Sequence, residues 1–483
     1  MRVRREKLDR IRETGGDPYP VGFPRTTDLA RLRSSYDDLP ADTATGDRVG
    51  VTGRVVFKRD TGRLAFAALQ EGDSRLQVML PEDVVGAEAL AAWKRDVDLG
   101  DHVGVEGEVV TSRRGELSVR ADRWALTSKA LRPLPTLHKP LSDSERVRSR
   151  YVDLVVRPEA RAMVRDRADA LWAIRSTLRS RGFTEVETPV LQPVHGGATA
   201  RPFVTRSNAL NLDLYLRIAL ELYLKRLVVG GVERVFEIGK NFRNEGVDST
   251  HNPEFTMLEA YEAYADYDTI GDLTRDLVLA AAAELGSTEV SDGAGGTLDL
   301  AAPWRTTTLH GAVSEVLGEE VTPDTAPDRL HALADARAVA LQPSWGAGEV
   351  VLELYEQLVE SHLSEPTFVR DFPVEVRPLA RPHREDPRLA EAWDLVVGGR
   401  ELGTGYSELV DPVEQRARLT EQSLRAAGGD PEAMQLDEDF LRALEHGMPP
   451  TGGMGLGLDR LLMLLTGTAS IRETVLFPLV RPE

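Results

Sequence analysis

At 483 residues, 41% hydrophobic and 28% charged, the chain has an ordinary globular make-up with room for two or three cores. It contains no cysteine, which excludes disulfides, thiolate metal sites and cysteine nucleophiles, and apolar runs such as 277–283 fall well short of the roughly 20 residues a membrane helix needs. The net charge of −19 argues against a nucleic-acid partner only until it is divided. Residues 1–150 carry 27 basic and 24 acidic side chains, a net of +3, which leaves −22 on the remainder. Phosphate attraction depends on local charge, so RNA contact is placed on the N-terminal part and on local patches of the rest. The opening Met1-Arg2-Val3-Arg4-Arg5-Glu6 has no apolar signal core, and a cytoplasmic protein is expected.

Residues 1–45 read as an extension with a charged helix over 4–12 and a Gly/Pro-rich connector over 15–24. Residues 46–128 carry five short alternating runs, at 49–56, 64–69, 75–79, 101–110 and 116–126, with a helix interposed at 87–94. That is the pattern of a small barrel of the OB type. The Pro-rich stretch 129–145 reads as a linker, and helices follow at 146–154 and 159–181. Two β runs, 234–242 and 254–262, flank a polar loop. The period of two puts Phe255, Met257, Glu259 and Tyr261 on one face, sharing a surface with Arg243. Residues from about 265 to 365 mix helices (269–285, 327–336, 349–361) with a loop at 291–296 and read as a helical insertion whose acidic helices form a solvated surface. The β pattern resumes at 368–376 and 394–408, and a Gly-rich strand from 453 runs into an apolar helix with Arg460 at the junction.

Arg243 and Arg460, on separate rigid elements, suit a polyphosphate clamp, since a guanidinium stays charged and pairs bidentately with phosphate. Any one such Arg is ordinarily a surface ion pair of little worth; two in these contexts reverse that weighting. Asp394 and Glu401 flank Gly398-Gly399, a dipeptide suited to a tight hairpin turn that aims both carboxylates to one side. They read as a Mg²⁺ site bridging phosphates, or as the acid and base of a hydrolase, for which no nucleophile is nearby. Strict alternation sends Thr404, Tyr406 and Glu408 to the face opposite Glu401. An irregular ladder, a β-bulge near Gly403, is therefore expected.

The segments Phe242-Arg243-Asn244-Glu245-Gly246, His251 to Tyr261, and Gly453 to Arg460 resemble motifs 2 and 3 of the class II aminoacyl-tRNA synthetases, and within them the bacterial-type lysyl-tRNA synthetases. Phe183 to Pro189 resembles motif 1, which in that family forms a dimer interface. The stretches Gly196 to Phe203, Lys129 to Pro135 and Arg472 to Pro478 carry the resemblance over essentially the whole chain. It implies an α+β protein: an N-terminal OB-fold β-barrel that binds the anticodon (46–128), then a class II catalytic domain (146–483) built on an antiparallel β-sheet flanked by helices. The activity implied is activation of L-lysine with ATP and Mg²⁺ to lysyl-adenylate and pyrophosphate, then transfer to tRNA(Lys), by a homodimer with no membrane contact.

Residue by residue, the resemblance gives Arg243 the substrate carboxylate and α-phosphate, and Arg460 the γ-phosphate end and the adenine. Glu245 and His251 contact adenine and phosphate, Phe255 stacks under the base, and Glu401 joins the ATP site. Glu221 takes the α-ammonium, Glu408 and Tyr261 the side-chain ammonium, with Gly197, Glu259, Thr404 and Tyr406 completing the lysine pocket. In the barrel it points to Phe66 for stacking, and to Gln77 and Glu116 for base edges. Three positions depart from the family pattern: Thr404 stands for Asn, Asp394 for Glu, and Leu220 for Pro. Alternatives are a paralogue whose charged tRNA feeds lipid lysinylation, or a non-catalytic tRNA-binding paralogue. Intact Arg243, Glu245, Phe255, Glu401 and Arg460 count against the latter.

Overall fold

The computed structural model describes residues 1–135, 140–292, 295–430 and 432–482. Part of the expected linker, 136–139, and the middle of the expected 291–296 loop, 293–294, lie outside the described residues.

Met1–Arg161 forms one compact unit. Five strands close a barrel in the order Ala44–Asp60, Leu64–Glu71, Ser74–Pro81, Leu117–Ser128, His102–Thr111. Alternation builds it: Ala65, Ala67 and Leu69 fill the interior while Phe66 and Ala68 face out. The helix Ala87–Asp96 contributes Leu90 and Trp93 to that interior, and Trp93 meets Trp124 edge-on at 5.1 Å. The helix expected over 146–154 is broken at Ser149 into Asp143–Arg148 and Arg150–Val156. Ser142 and Glu145 form a capping box at the start of the first piece. The Gln70 amide donates to the Val155 carbonyl at 3.2 Å and Arg161 Nε to Asp73 at 2.7 Å. These short helices therefore pack in the first unit, which runs past residue 146.

Ala162–Glu483 forms the second unit. Its eight-stranded sheet runs Arg305–Thr308, Thr367–Pro373, Leu389–Val397, Arg400–Ser407, Thr451–Gly457, Glu254–Ala263, Arg234–Phe242, Thr184–Glu185. The six inner strands are antiparallel, and only the two edge strands pair in parallel. One core cluster joins Ile174 and Leu178 of the helix Pro158–Ser180 to the sheet and to Ile270, Leu273 and Leu277 of Tyr267–Glu284.

The segment 265–365 is thus not the separate helical insertion the sequence suggested. Its first helix is part of the principal core, and Arg305–Thr308 extends the sheet. The helices Leu309–Leu317, Pro327–Ala336 and Ala347–Leu358 bury apolar faces in a second core shared with Val369, Phe372, Ala390 and Ala392. Their acidic residues lie on the outer sides of helices whose inner sides are apolar. Among the described residues no helix is long and apolar enough to cross a membrane.

Candidate active site

The site rests on the hairpin of Leu389–Val397 and Arg400–Ser407. Gly398 and Gly399 have φ of 59° and 68°, the left-handed pair that a two-residue turn needs. Val396 pairs with Glu401, but Leu395 pairs with Gly403, so Leu402 is an extra residue and the ladder is irregular where the sequence required it. Leu402 sinks into the core. Beyond it Thr404 pairs with Asp394 and Tyr406 with Ala392, which brings Thr404 and Tyr406 to the same face as Glu401. Gly403 lies so close to the next strand that a Cβ would meet the Gly455 carbonyl at 2.5 Å.

The strand Glu254–Ala263 runs in regular register beside Thr451–Gly457, with Glu259 opposite Gly455 and Tyr261 opposite Gly453. Opposing glycines leave space above the sheet. A Cβ on Gly453 would stand 2.1 Å from Glu408 Oε1 and 2.5 Å from the Tyr261 ring. Two adjoining cavities result, of about 290 and about 200 Å³. Gly197, Glu221, Glu259, Tyr261, Tyr406 and Glu408 line the first; Glu245, His251, Phe255 and Arg460 line the second. Arg243, Met257, Glu401, Thr404 and Gly455 belong to both, so the two form one cleft with Arg243 at the join.

The first cavity is an acidic chamber. Glu221, Glu259 and Glu408 are 5%, 4% and 2% exposed, so their charges face the chamber and not solvent. Glu259 Oε1 accepts from the Leu220 N–H at 2.9 Å, a donor that a proline at that position would lack, and Oε2 accepts from the Tyr261 hydroxyl at 3.0 Å. Burial, with Glu221 adding, pushes the Glu259 pKa up to about 7. Burial likewise pushes Glu408 up to about 8, against the pull of Lys225, and Glu408 Oε1 has no hydrogen-bond partner. The Glu221 pKa is raised too, by burial. Gly197, at φ 87°, sits where a Cβ would crowd Ala219 and Glu221 at 3.0 and 3.2 Å. Carboxylates gathered out of water in this number are costly when empty and complementary to a cationic ligand.

The second cavity is basic and aromatic. Arg243 follows the strand Arg234–Phe242; its N–H donates to the Pro253 carbonyl at 2.9 Å, fixing the loop. Its guanidinium lies 5.2 Å from the Phe255 ring centroid, and its Nε has no partner. Burial draws its pKa down, opposed by Glu245 and Glu401. Arg460, in the first turn of Leu458–Thr466, donates to the Glu401 carbonyl at 2.9 Å and lies 3.0 Å from His251 Nε2. His251 Nδ1 in turn lies 2.9 Å from Asp248. Glu245 accepts from the Arg201 N–H at 3.2 Å. Asp459 locks helix to strand, accepting from the Thr256 N–H at 2.7 Å and pairing with Arg167 at 2.5 Å. Two guanidiniums on one cavity with an aromatic face suit a nucleotide polyphosphate.

Asp394 stands apart from the other expected residues. It shares the sheet face of Glu401 but lines neither cavity, because its Oδ2 accepts from Arg377 Nη2 at 2.5 Å. Burial pushes its pKa up to about 7, and its Oδ1 has no partner. Among the described residues no group of three or more His, Cys, Asp or Glu is clustered as for a metal. Of the two carboxylates the sequence pairs as a Mg²⁺ site, Glu401 alone borders the cavities, and Mg²⁺ can use so few protein oxygens when phosphate supplies the rest; Asp394 is taken up by Arg377.

The sequence reading missed two cations. Arg377 lines the acidic chamber after the 3₁₀ turn Val374–Val376, an irregular stretch without periodic signal. Lys225 is buried between Glu221 and Glu408; its i,i+4 spacing from Glu221 on the helix Glu221–Val229 was the available sign. On the barrel, Phe66 is half-buried and faces outward, Gln77 donates to the Ser118 hydroxyl at 2.9 Å, and Glu116 is exposed, 3.6 Å from Arg33. Gln77 and Glu116 line one shallow cleft with Arg33, Arg75 and Arg114; Phe66 is not among its lining residues.

A family model described as tRNA synthetases class II (D, K and N) matches residues 142–481, and one described as an OB-fold nucleic acid binding domain matches 43–127. The chain is 61% identical to a lysine–tRNA ligase of Kineococcus radiotolerans and 56% identical to one of Mycobacterium bovis. Each alignment covers 100% of this chain and 97% of the relative. It is also 53% identical to a lysylphosphatidylglycerol biosynthesis bifunctional protein of Mycolicibacterium vanbaalenii, over 100% of this chain and 44% of that protein.

Proposed function

Because the chain belongs to the class II tRNA synthetases of the D, K and N group, ATP-dependent ligases, we propose that it activates L-lysine as lysyl-adenylate and transfers the lysyl group to tRNA(Lys). The observation that carries the choice of amino acid is the chamber of three buried carboxylates opening onto Arg243. Two ammonium groups answer those charges, whereas a substrate with an acidic or amide side chain would be repelled or left without a complementary group. In this reading Glu221 takes the α-ammonium, Glu408 and Tyr261 the ε-ammonium, and Arg243 neutralises the carboxylate as it approaches the α-phosphate. Arg460, Glu245, His251 and Phe255 hold the nucleotide. Mg²⁺, resting on Glu401 and on the phosphates, would neutralise phosphate charge.

The barrel of 46–128 reads the anticodon through Phe66, Gln77 and Glu116, and catalysis belongs to the second unit, Ala162–Glu483. The active form is a homodimer through the motif 1 segment, near which in sequence Trp172, Leu191 and Val204 are 67%, 50% and 66% exposed. Its place is the cytoplasm, with the tRNA pool. Supply of charged tRNA to lipid lysinylation would use the same chemistry, and the match to the bifunctional relative keeps that pathway in view.

The test is ATP–pyrophosphate exchange with single amino acids on the purified chain. Lysine-dependent exchange that vanishes in Arg243→Ala is the expected result. Exchange with no amino acid would leave the non-catalytic, tRNA-binding reading standing instead.

A further inference from the structure

Lys225 is wholly excluded from solvent, on the helix Glu221–Val229. A lone ammonium so buried would shed its proton. Here Glu221, one turn earlier, sets Oε1 at 2.5 Å from Nζ, and Glu408, beyond the strand Arg400–Ser407, sets Oε2 against the same nitrogen. Burial works against the charge, but the two carboxylates outweigh it and the pKa is raised, so this lysine stays a cation and is no nucleophile. The bridge occupies one oxygen of each carboxylate and leaves Glu408 Oε1 without a partner, over Gly453. Lys225 thus offsets part of the acidity of Glu221 and Glu408, in a chamber that Arg243 and Arg377 also line.

We propose that Lys225 is a positioning residue for the amino-acid substrate, a resident ammonium that holds Glu221 and Glu408 splayed and favours their charged forms, so that their remaining oxygens receive the substrate's two ammonium groups. The inference rests on the lysine reading of the cleft. Besides Lys225, the groups facing the two carboxylates are Glu259 and Tyr261 on Glu254–Ala263 and Tyr406 on Arg400–Ser407; Arg243 and Arg377 line the same chamber, and Arg377 acts on Tyr406. None of the tyrosines supplies positive charge. Without Lys225, Glu221 and Glu408 would repel across the space it fills, and each would hold its proton to a higher pH, so lysine would have to displace protons that Lys225 otherwise helps to release.

The experiment measures lysine and ATP KM by pyrophosphate exchange from pH 6 to 9 for the wild type, Lys225→Met and Lys225→Arg, with circular dichroism melts to establish folding. In K225M the lysine KM at pH 7.5 is expected to rise about 10- to 100-fold while the ATP KM stays within about two-fold, and the lysine KM–pH curve moves up by about one unit. K225R, which keeps the charge, is expected to hold the wild-type curve with a lysine KM raised a few-fold. A K225M enzyme whose lysine and ATP KM rise together, or whose curve does not move, overturns the proposal. Should K225M fail to fold, a K225R curve displaced from wild type overturns it equally, and one that coincides supports it. A wild type without lysine-dependent exchange would instead strike down the lysine reading itself, and the proposal with it.

Discussion

Gly453→Ala tests the chamber by one methyl group. The new Cβ would stand 2.1 Å from Glu408 Oε1 and 2.5 Å from the Tyr261 ring, where ordinary contact begins near 3.4 Å. The carboxylate, the ring or the strand must therefore yield by about 1.3 Å. The strand is held on both sides, by Tyr261 opposite Gly453 and by Tyr406 on the other flank, so the carboxylate moves. A displacement near 1 Å at a charged contact costs about 100-fold in rate, and loss of a buried charge pair about 2 to 5 kcal/mol in binding. Lysine KM should rise by at least about 30-fold, the ATP KM should hold within about two-fold, and thermal stability should fall by the about 1 to 3 kcal/mol typical of overpacking. Gly455→Ala is the comparison: its Cβ would meet the mobile end of Met257 at 3.1 Å and Glu259 Cγ at an ordinary 3.7 Å, and a milder effect is expected. In exchange assays, a G453A enzyme with wild-type lysine KM would refute the claim that Glu408 reads the substrate from that position.

Glu259 and Glu408 titrate near 7 and 8 in the empty chamber, and an ammonium ligand favours their ionised forms, so lysine binding expels protons. Lysine Kd, followed by calorimetry, should fall about ten-fold per unit between pH 7 and 8 and more steeply below 7. These folded pKa values lie above the usual carboxylate range, so the empty protein binds more protons than the unfolded chain, loses stability as pH rises from about 4.5 to 8, and should gain more Tm from lysine at pH 8 than at pH 6. A flat Kd–pH profile would contradict this. Leu220→Pro removes the N–H that supports Glu259; about 1 to 3 kcal/mol of lysine affinity should go with it, and unchanged lysine KM would show the donor to be dispensable. Phe66→Ala should lower aminoacylation kcat/KM for tRNA by about 5- to 100-fold and leave pyrophosphate exchange untouched; an equal loss in both assays would make Phe66 a structural residue.

Much of the site could be read from spacing alone. The alternation of Phe255, Met257, Glu259 and Tyr261 survives intact because that strand is regular from end to end. The break near Gly403 was legible as a contradiction, since only an extra residue could bring Glu401 and Thr404 to one face. Partners joined through space were harder. Glu408 meets Lys225, and Asp394 meets Arg377, across turns that no local period links, so the chamber's net charge and the withdrawal of Asp394 from the cleft needed three dimensions. The place of the helix Tyr267–Glu284 in the principal core is hidden from the sequence for a related reason: a chain position between two motifs says nothing about which layer a helix covers. The 146–154 helix divides at Ser149, a residue type that competes for backbone hydrogen bonds.

Leu402 makes its strand count in two frames. Upstream of it odd and even positions mean one thing, and downstream the opposite, so the phosphate end and the ammonium end of the cleft are indexed separately on a single stretch of backbone. Because that pivot is itself anchored in the core, its phase cannot drift. Natural variation along 400–408 should therefore exchange side chains freely while keeping the residue count, since gaining or losing one residue would swap the contents of the active face for those of the interior.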